Sequence, residues 1–453
     1  MLRHFSLSLL SHQSRNMSSQ TFKSLSGPFN WVNNQRTEPT EITGTIDNLS
    51  PRTGKTIAQV PVSGKTEIDR AVQAAKLALT GWKALSGSER GRILLKTAEL
   101  VRQNVEELAR NEVLDNGKPI WEARMDMDTV IGSLEFFGGV AGSVYGQHVK
   151  LPGGSFAMIS RDPLGVVGGV GAWNYPLQTA TWKIAPALAC GNTFVYKPSP
   201  LTPLNVVLLA ELFKEAGLPD GVLNVVQGEG DSGSYLTSHP DVAKVSFTGS
   251  VPTGTKIMQS AAEGIRNVTL ELGGKSPLII FDDANLKNAV KGAMMANFFT
   301  QGQVCSNAAR VFVQRGIYLE FLQAFVSQAK KMKIGDPFAE DTTVGATICE
   351  AHAQKVLGYI QSAVDEGAKI ECGGERVILD GELEGGQYLS PCVLTNCHDK
   401  MKSVQEEIFG SVATILPFDS EDEVIKRANN TAFGLGGKSH LNYLSGGVNM
   451  SKS

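Results

Sequence analysis

The sequence lacks several features that define other classes of protein. No apolar run approaches the roughly 18 residues of a membrane-spanning helix, because glycine or proline interrupts the longest stretches. The net charge of −3 gives no field that would draw the chain to nucleic acid or to an anionic membrane. Cysteine is sparse, with six residues among 453 and no C-x-x-C pair. These absences predict a globular protein of a reducing compartment, with neither nucleic acid nor a membrane as a partner.

A metal site is not predicted either. Cys392, Cys397 and His398 are the densest group of potential ligands. Their spacing does not match a zinc ribbon, and no fourth ligand lies near them in the sequence. We interpret them as structural residues.

The first 37 residues lack aspartate and glutamate. They are rich in serine and contain Arg3, Arg15, Lys23 and Arg36. This composition is typical of a weakly basic mitochondrial presequence and also of a disordered tail. We expect a cytoplasmic protein with a disordered tail over residues 1–37, and a presequence with mitochondrial import is the alternative.

The apolar pattern predicts an α/β fold. Ile68, Val72 and Ala75 share one face of a helix, and a second helix is predicted to start at Ser88. Short apolar runs alternate with helix-length segments such as 203–216, which is typical of a parallel sheet with helices on both faces. Strands are predicted at 166–170, 193–196, 223–226, 245–247, 268–272 and 277–281, and helices at 285–299, 318–331 and 351–366.

Cys305 is the best candidate for a nucleophile. Its flank, Phe298-Phe-Thr-Gln-Gly-Gln-Val, is polar and contains glycine, which indicates a loop after a helix. A catalytic thiol needs such access, together with a stabilised thiolate. Cys190 follows Ala185-Pro-Ala-Leu-Ala, so we expect it to be a buried and inert thiol.

Two polar residues are candidates for supporting roles. Glu271 alternates with apolar neighbours in a predicted strand, so its carboxylate either lies on a solvated face or acts as a general base in a cleft. Asn174, in Gly171-Ala-Trp-Asn-Tyr-Pro, lies between a strand and a helix. Its amide either caps that helix or donates to a developing oxyanion.

Two glycine-bearing loops are candidates for binding phosphate. Gly228, Gly230 and Gly233 form a G-x-G-x-x-G pattern after a strand, but no acidic partner follows at the expected distance, and a tight turn explains them equally well. The segment Phe247-Thr-Gly-Ser-Val-Pro-Thr-Gly254 also follows a strand and opens a helix. Ser250 there serves either a pyrophosphate or an ordinary N-cap.

Aromatic residues suggest the substrate class. Tyr175 and Trp182 are seven residues apart and share one helix face, and Phe299 precedes Cys305 by six residues. An aromatic cage of this kind suits a quaternary ammonium group, whereas the alternative is three core aromatics.

Together these segments resemble the aldehyde dehydrogenase superfamily over about residues 48–435. The most specific pieces are Gly171-Ala-Trp-Asn-Tyr-Pro, Phe247-Thr-Gly-Ser, Leu270-Glu-Leu-Gly-Gly-Lys, Gln301-Gly-Gln-Val-Cys and Glu406-Glu-Ile-Phe-Gly. The resemblance implies an α/β fold with a parallel-sheet cofactor domain and an α/β catalytic domain. It further implies NAD as cofactor, a small-molecule aldehyde as substrate and a homo-oligomer. Within the superfamily the chain looks most like the betaine-aldehyde branch, which oxidises 4-trimethylaminobutyraldehyde and related aminoaldehydes for carnitine synthesis.

The resemblance also assigns roles to residues. Cys305 is the nucleophile, Glu271 is the general base, and the Asn174 side chain with the Cys305 N–H holds the oxyanion. The reaction passes through a thiohemiacetal and a thioester on the cysteine. Residues matching the family's cofactor-binding positions are Lys197, Gly249, Ser250, Gly254, Glu407 and Phe409, and those matched to the substrate are Tyr175, Trp182 and Phe299.

Departures from the family pattern occur at three places. Pro200 stands where many NAD-preferring members have a glutamate, and Ser411 replaces a proline. The match stops near Leu435, and the Gly- and Ser-rich residues 436–453 indicate an unpacked tail. We therefore expect a cofactor domain over 38–272, with part of an oligomerisation element near 141–160, and an incomplete catalytic domain over 273–435. Two alternatives are a weakly active or inactive truncated isoform, and a cysteine hydrolase or acyl transferase.

Overall fold

The computed structural model describes residues 27–440, which form two large sheets with helices packed on them. The strands are β1 (Asn30–Val32), β2 (Gln35–Thr37), β3 (Ile42–Leu49), β4 (Thr56–Ser63), β5 (Gln147–Lys150), β6 (Phe156–Ile159), β7 (Val166–Val170), β8 (Thr193–Lys197), β9 (Leu223–Val225), β10 (Val242–Thr248), β11 (Asn267–Glu271), β12 (Pro277–Ile280), β13 (Arg310–Gln314), β14 (Lys369–Cys372), β15 (Arg376–Val377), β16 (Tyr388–Leu389), β17 (Cys392–Thr395), β18 (Val412–Phe418) and β19 (Lys438–His440). The helices are α1 (Lys65–Ala84), α2 (Gly87–Gln103), α3 (Val105–Asn116), α4 (Ile120–Val140), α5 (Pro176–Ala189), α6 (Asn205–Glu215), α7 (Gly230–Ser238), α8 (Val251–Glu263), α9 (Leu286–Phe298), α10 (Tyr318–Ala329), α11 (Glu350–Asp365), α12 (Lys402–Gln405) and α13 (Glu421–Asn429).

The first sheet has seven strands in the order β11-β10-β7-β8-β9-β1-β2. Strands β11, β10, β7, β8 and β9 are parallel, and β1 and β2 add an antiparallel edge. Every residue of β7 and β8 is buried, which is why neither sequence shows the alternation of apolar and polar residues that a strand with one solvated face has. The carboxyl ends of β7, β10 and β11 lie side by side, and the candidate site lies at that edge.

The second sheet has six strands in the order β14-β17-β18-β13-β12-β19. All neighbours in it are parallel except β14 and β17. Helices α9 and α10 pack on one face through Ala293, Phe298 and Phe325, and α11 packs on the other through Val356 and Ile360. This sheet positions the loop that contains Cys305, because the loop begins at the end of α9 and ends at the start of β13.

The predicted strands and helices are confirmed, and the boundaries differ by only a few residues. Helix α2 begins earlier than predicted, because Ser86 rather than Ser88 is its N-cap and forms a capping box with Glu89. Cys190 is not a core thiol: it lies at the C-cap of α5 and is exposed, and only the helix before it is buried.

Both predicted tails contain strands. Residues 30–37 are not disordered, because Trp31 pairs with Val225 and extends the first sheet through β1 and β2. The interpretation of 436–453 as an unpacked tail is wrong for Lys438–His440, which pairs in parallel with Leu278–Ile280. The possible presequence over 1–16 and the end of the chain after His440 lie outside the described residues.

Strands β5 and β6 form a separate two-stranded ribbon in the region matched to an oligomerisation element. Its strands are exposed, and Val149, Phe156 and Met158 are among its exposed apolar residues. In the part of the chain between 27 and 440, no helix is long and apolar enough to cross a membrane.

Candidate active site

Asn174 lies just beyond the carboxyl end of β7, and α5 begins two residues later at Pro176. Proline suits this first helical position because no N–H is needed there. The Asn174 side chain is buried, and its Nδ2 donates to the backbone carbonyl of Gln303 at 3.0 Å. The amide therefore points at the loop of Cys305 and does not cap α5, which has no side-chain cap. One amide hydrogen remains for a ligand.

Cys305 follows a strained turn at the end of α9. Thr300 and Gln301 have φ values of 48° and 52°, in the left-handed region that non-glycine residues rarely adopt. The thiol is partly buried, and this burial raises its pKa above 9.0, with smaller contributions from the charges of Glu407 and Glu271. The structure thus provides access to the thiol but not the stabilised thiolate that the sequence led us to expect.

Glu271 ends β11, where Thr269 and Glu271 are exposed and Val268 and Leu270 are half-buried, as the predicted alternation requires. Lys183 of α5 lies near this carboxylate and was not identified from the sequence. Its ammonium donates to the Thr248 hydroxyl at the end of the neighbouring strand, and burial lowers its pKa to about 8. A lysine in a helix that is otherwise mostly apolar was the only available signal.

Glu407 and Phe409 face Cys305 from the second sheet. Glu407 accepts a hydrogen bond from the Gly274 N–H at 3.1 Å, and burial raises the pKa of its carboxyl. A Cβ at Gly273 would collide with the Glu407 carboxylate, so glycine is needed for this approach. Phe409 adopts φ 62° and packs edge-on against Trp173, with ring centroids 5.2 Å apart.

His352 completes this aromatic group and was also missed. Its Nε2 lies 2.7 Å from the Phe409 carbonyl oxygen, and its ring contacts Trp173 edge-on at 5.2 Å. Burial lowers the His352 pKa to about 4, so the ring is neutral at physiological pH and its Nε2–H donates to that carbonyl. This contact helps to hold Phe409 in its unusual backbone conformation.

The second glycine loop fits a phosphate better than the first. Helix α8 begins at Val251 directly after β10, and its first-turn N–H groups have no partner within the helix. Ser250 is its N-cap, accepting weakly from the Thr253 N–H at 3.4 Å, and both hydroxyls border the cavity beside Gly249. Gly254 lies outside the cavity, where a Cβ would collide with Leu272, so this glycine allows α8 to pack closely on β11.

Lys197, at the end of β8, lies outside this cavity. Its buried ammonium donates to the carbonyls of Pro198 and Gly228, and burial lowers its pKa to about 8. The G-x-G-x-x-G loop therefore supplies a carbonyl to a lysine, and α7 begins at Gly230 after a turn.

The three predicted cage aromatics differ in their surroundings. Trp182 is 46% exposed on the cavity wall, whereas Tyr175 is buried and its hydroxyl forms a hydrogen bond with the Thr300 hydroxyl. The ammonium of Lys118 lies 4.1 Å from the Tyr175 ring centroid, which covers one face of that ring. Phe299 packs edge-on against Trp121 at 5.7 Å.

One cavity of about 590 Å³ joins most of these residues. Its volume is that of a small-molecule site, and its lining combines apolar rings with a few polar groups. Among the described residues, no group of three or more His, Cys, Asp or Glu side chains could hold a metal ion. The predicted site residues that line the cavity are Cys305, Glu271, Asn174, Gly249, Ser250, Glu407, Phe409, Tyr175, Trp182 and Phe299.

A thiol, an amide aimed at its loop, a carboxylate and a helix N-terminus lie around one cleft, a set of groups that could attack a carbonyl carbon and hold an anionic group. Residues 37–440 match the model of the aldehyde dehydrogenase family, and the chain belongs to that family. It is an enzyme of the aldehyde dehydrogenase type.

Individual relatives and solved structures are similar to this chain over most of its length. The chain is 54% identical over 420 residues to the 4-trimethylaminobutyraldehyde dehydrogenases of Bos taurus and of Homo sapiens, covering 92% of this chain and 85% of each relative. A solved aldehyde dehydrogenase of Bacillus cereus, an NAD+ complex, is 38% identical with a TM-score of 0.90, over 93% of this chain and 86% of that one. Betaine aldehyde dehydrogenase from Staphylococcus aureus in complex with NAD+ is 37% identical with a TM-score of 0.90, over 93% and 84%.

Proposed function

We propose that this protein oxidises 4-trimethylaminobutyraldehyde, or a related aminoaldehyde, to the carboxylic acid with NAD. The observation that carries the proposal is the shared cavity, where Cys305, Glu271 and Asn174 lie beside the half-exposed ring of Trp182. An indole face attracts a quaternary ammonium through its quadrupole without a formal charge. Support also comes from relatives named for this substrate.

The Cys305 thiolate attacks the aldehyde carbonyl and forms a thiohemiacetal. Asn174 Nδ2 and the Cys305 backbone N–H donate to the developing oxyanion, which the geometry favours because that amide is already directed at the loop. Since burial raises the thiol pKa, a base must take the proton, and Glu271 borders the same cavity. After hydride leaves, Glu271, which is exposed and has released the thiol proton to solvent, activates the water that hydrolyses the thioester.

A bound nicotinamide cofactor supplies the hydride acceptor. The first turn of α8 with Ser250 would hold its phosphates, Lys197 a ribose, and Glu407 with Phe409 the nicotinamide end. NAD rather than NADP is proposed from the branch that the chain resembles, although Pro200 does not supply a carboxylate for the adenine ribose. A homo-oligomer through the β5–β6 ribbon and a cytoplasmic location complete the proposal.

The test is steady-state reduction of NAD, and separately of NADP, by the purified full chain. The substrates are 4-trimethylaminobutyraldehyde and an unbranched aliphatic aldehyde of equal chain length. We expect kcat/KM to be about 5- to 30-fold higher for the trimethylammonium aldehyde, from a cation–π contribution of about 1–2 kcal/mol. Equal values would refute the substrate assignment. If the protein hydrolyses esters but reduces neither NAD nor NADP when an aldehyde is added, that result would favour a cysteine hydrolase.

A further inference from the structure

One buried lysine contacts Asn174, the residue whose side-chain amide is proposed to donate to the oxyanion. Lys118 lies in the turn between α3 and α4, and its side chain is completely buried. Its ammonium donates to Asp126 and, at 2.9 Å, to the backbone carbonyl of Asn174. The same ammonium lies 4.1 Å from the Tyr175 ring centroid. It therefore contacts two consecutive residues that flank one peptide bond.

The charges around Lys118 are unusual for a structural contact. Burial raises the pKa of Glu112 to about 7 and of Glu122 to about 8, and it raises the pKa of Asp115 and Asp126 as well. Four buried acids thus lie near one buried ammonium. Burying such groups is costly, and apolar residues of similar volume would serve stability equally well. The arrangement favours a role in positioning.

A second donor reinforces the same carbonyl. Asn116 Nδ2 donates to Asn174 at 3.2 Å and to the Trp173 carbonyl at 2.7 Å. On the other side, the Asn174 side chain donates to Gln303, two residues before Cys305. The backbone carbonyl of Asn174 therefore accepts hydrogen bonds from the α3–α4 turn, and its side-chain amide donates to the loop that contains Cys305.

The start of α4 holds that loop as well. Glu122 accepts from the Thr300 N–H at 2.8 Å and from the Thr300 hydroxyl at 3.1 Å. The Tyr175 and Thr300 hydroxyls form a hydrogen bond at 3.0 Å. The segment from Asn116 to Asp126 therefore contacts both the loop of Asn174 and the turn that precedes Cys305.

We propose that Lys118 is a positioning residue for aldehyde oxidation. By fixing the backbone at Asn174 and Tyr175, it directs the Asn174 amide at the position where the oxyanion develops. This inference rests on the role proposed for Asn174. Displacement of an oxyanion donor by about 1 Å lowers the rate by one to two orders of magnitude, because the donor is effective only when it is oriented before the charge forms.

The experiment is a double-mutant cycle on the full chain, read as the single-turnover burst of reduced cofactor with 4-trimethylaminobutyraldehyde. Lys118→Met keeps the apolar stem and removes the ammonium. We expect it to slow the burst about 10- to 100-fold while the Kd for NAD changes less than about twofold. Asn174→Ala should slow the burst about 100- to 1,000-fold. In the Asn174→Ala background, adding Lys118→Met should change the rate less than about twofold.

Losses that multiply in the double mutant, or a wild-type burst from Lys118→Met, would overturn the inference. A normal burst from Asn174→Ala alone would instead refute the proposed role of Asn174, and the inference with it. If Lys118→Met is not folded by circular dichroism, Asn116→Ala takes its place. That variant removes the other donor to the same carbonyl, and multiplicative losses would again be the contradicting result.

Lys214 provides a matched control. Its ammonium also donates to a backbone carbonyl, that of Asn34 at 2.9 Å, and lies 5.9 Å from the Trp31 ring centroid. It belongs to α6 and takes no part in the site. Lys214→Met should leave the burst unchanged. A general effect of removing a lysine that donates to a backbone carbonyl is thereby separated from an effect on Asn174.

Discussion

Removing the indole of Trp182 should reduce the preference for a charged aldehyde more than it reduces binding of any aldehyde. A cation–π contact contributes about 0.5–1 kcal/mol at an exposed site and about 2 kcal/mol or more when it is desolvated. Trp182 is 46% exposed, which places it between these limits at about 1–2 kcal/mol. At 1.4 kcal/mol for each factor of ten, Trp182→Ala should cost a trimethylammonium aldehyde about 5- to 30-fold more than a neutral one.

The comparison substrate is the carbon isostere of 4-trimethylaminobutyraldehyde, in which a quaternary carbon replaces the nitrogen. The two aldehydes have the same shape, so their ratio of kcat/KM isolates the charge. Trp182→Ala should lower that ratio, Trp182→Phe should restore part of it, and Trp182→Leu, which is apolar without a π face, should not. Tyr175 contributes less, because Lys118 already covers one of its faces. Equal losses for both aldehydes in Trp182→Ala would mean that the indole only packs.

Three further predictions concern the reacting groups. Cys305→Ala should abolish dehydrogenase activity while the Kd for NAD stays largely unchanged. Cys190→Ala, at an exposed position outside the cavity, should retain activity. Similar activities of the two variants would contradict the assignment of Cys305 as the nucleophile. Glu271→Gln should give a burst of one equivalent of reduced cofactor per site and then little turnover, because thioester hydrolysis is blocked; unchanged steady-state turnover would contradict this role. In the cofactor-free enzyme, alkylation of Cys305 by iodoacetamide is followed by mass spectrometry of its peptide. Its pH midpoint should be higher than that of a short reference peptide containing cysteine, because burial raises the pKa of the thiol; a midpoint below that of the reference peptide would be incompatible with that environment.

The sequence was informative where burial is continuous. Strands β7 and β8 are buried at every residue, so their short and mainly apolar sequences marked them without any knowledge of their neighbours. The position of Asn174 in the loop between β7 and α5 was predicted for the same reason, whereas its role in the site came from the family resemblance. Their surroundings repeat a simple order of strand, loop and helix.

Features that depend on distant partners were missed. Strand β1 has only three residues and is defined by pairing with β9, nearly 200 positions away. Strand β19 is equally short and depends on β12. Lys118 and Lys183 are ordinary lysines in the sequence, and only folding buries their ammonium groups against Asn174 and Thr248. Cys190 was misjudged because a helix end exposes its last residue even when the helix is buried.

The left-handed backbone at Thr300 and Gln301 limits whether the segment that contains the nucleophile can be transferred to another protein. A left-handed conformation costs a non-glycine residue roughly 1–2 kcal/mol, so the two together oppose the turn before Cys305 by several kcal/mol. Glu122, nearly 180 residues earlier in the chain, binds Thr300 at both its N–H and its hydroxyl and offsets that cost. The Gln301–Cys305 segment therefore does not hold its conformation without these distant contacts. Grafted into another protein without the first turns of α4, it would relax to a right-handed turn and aim its thiol elsewhere.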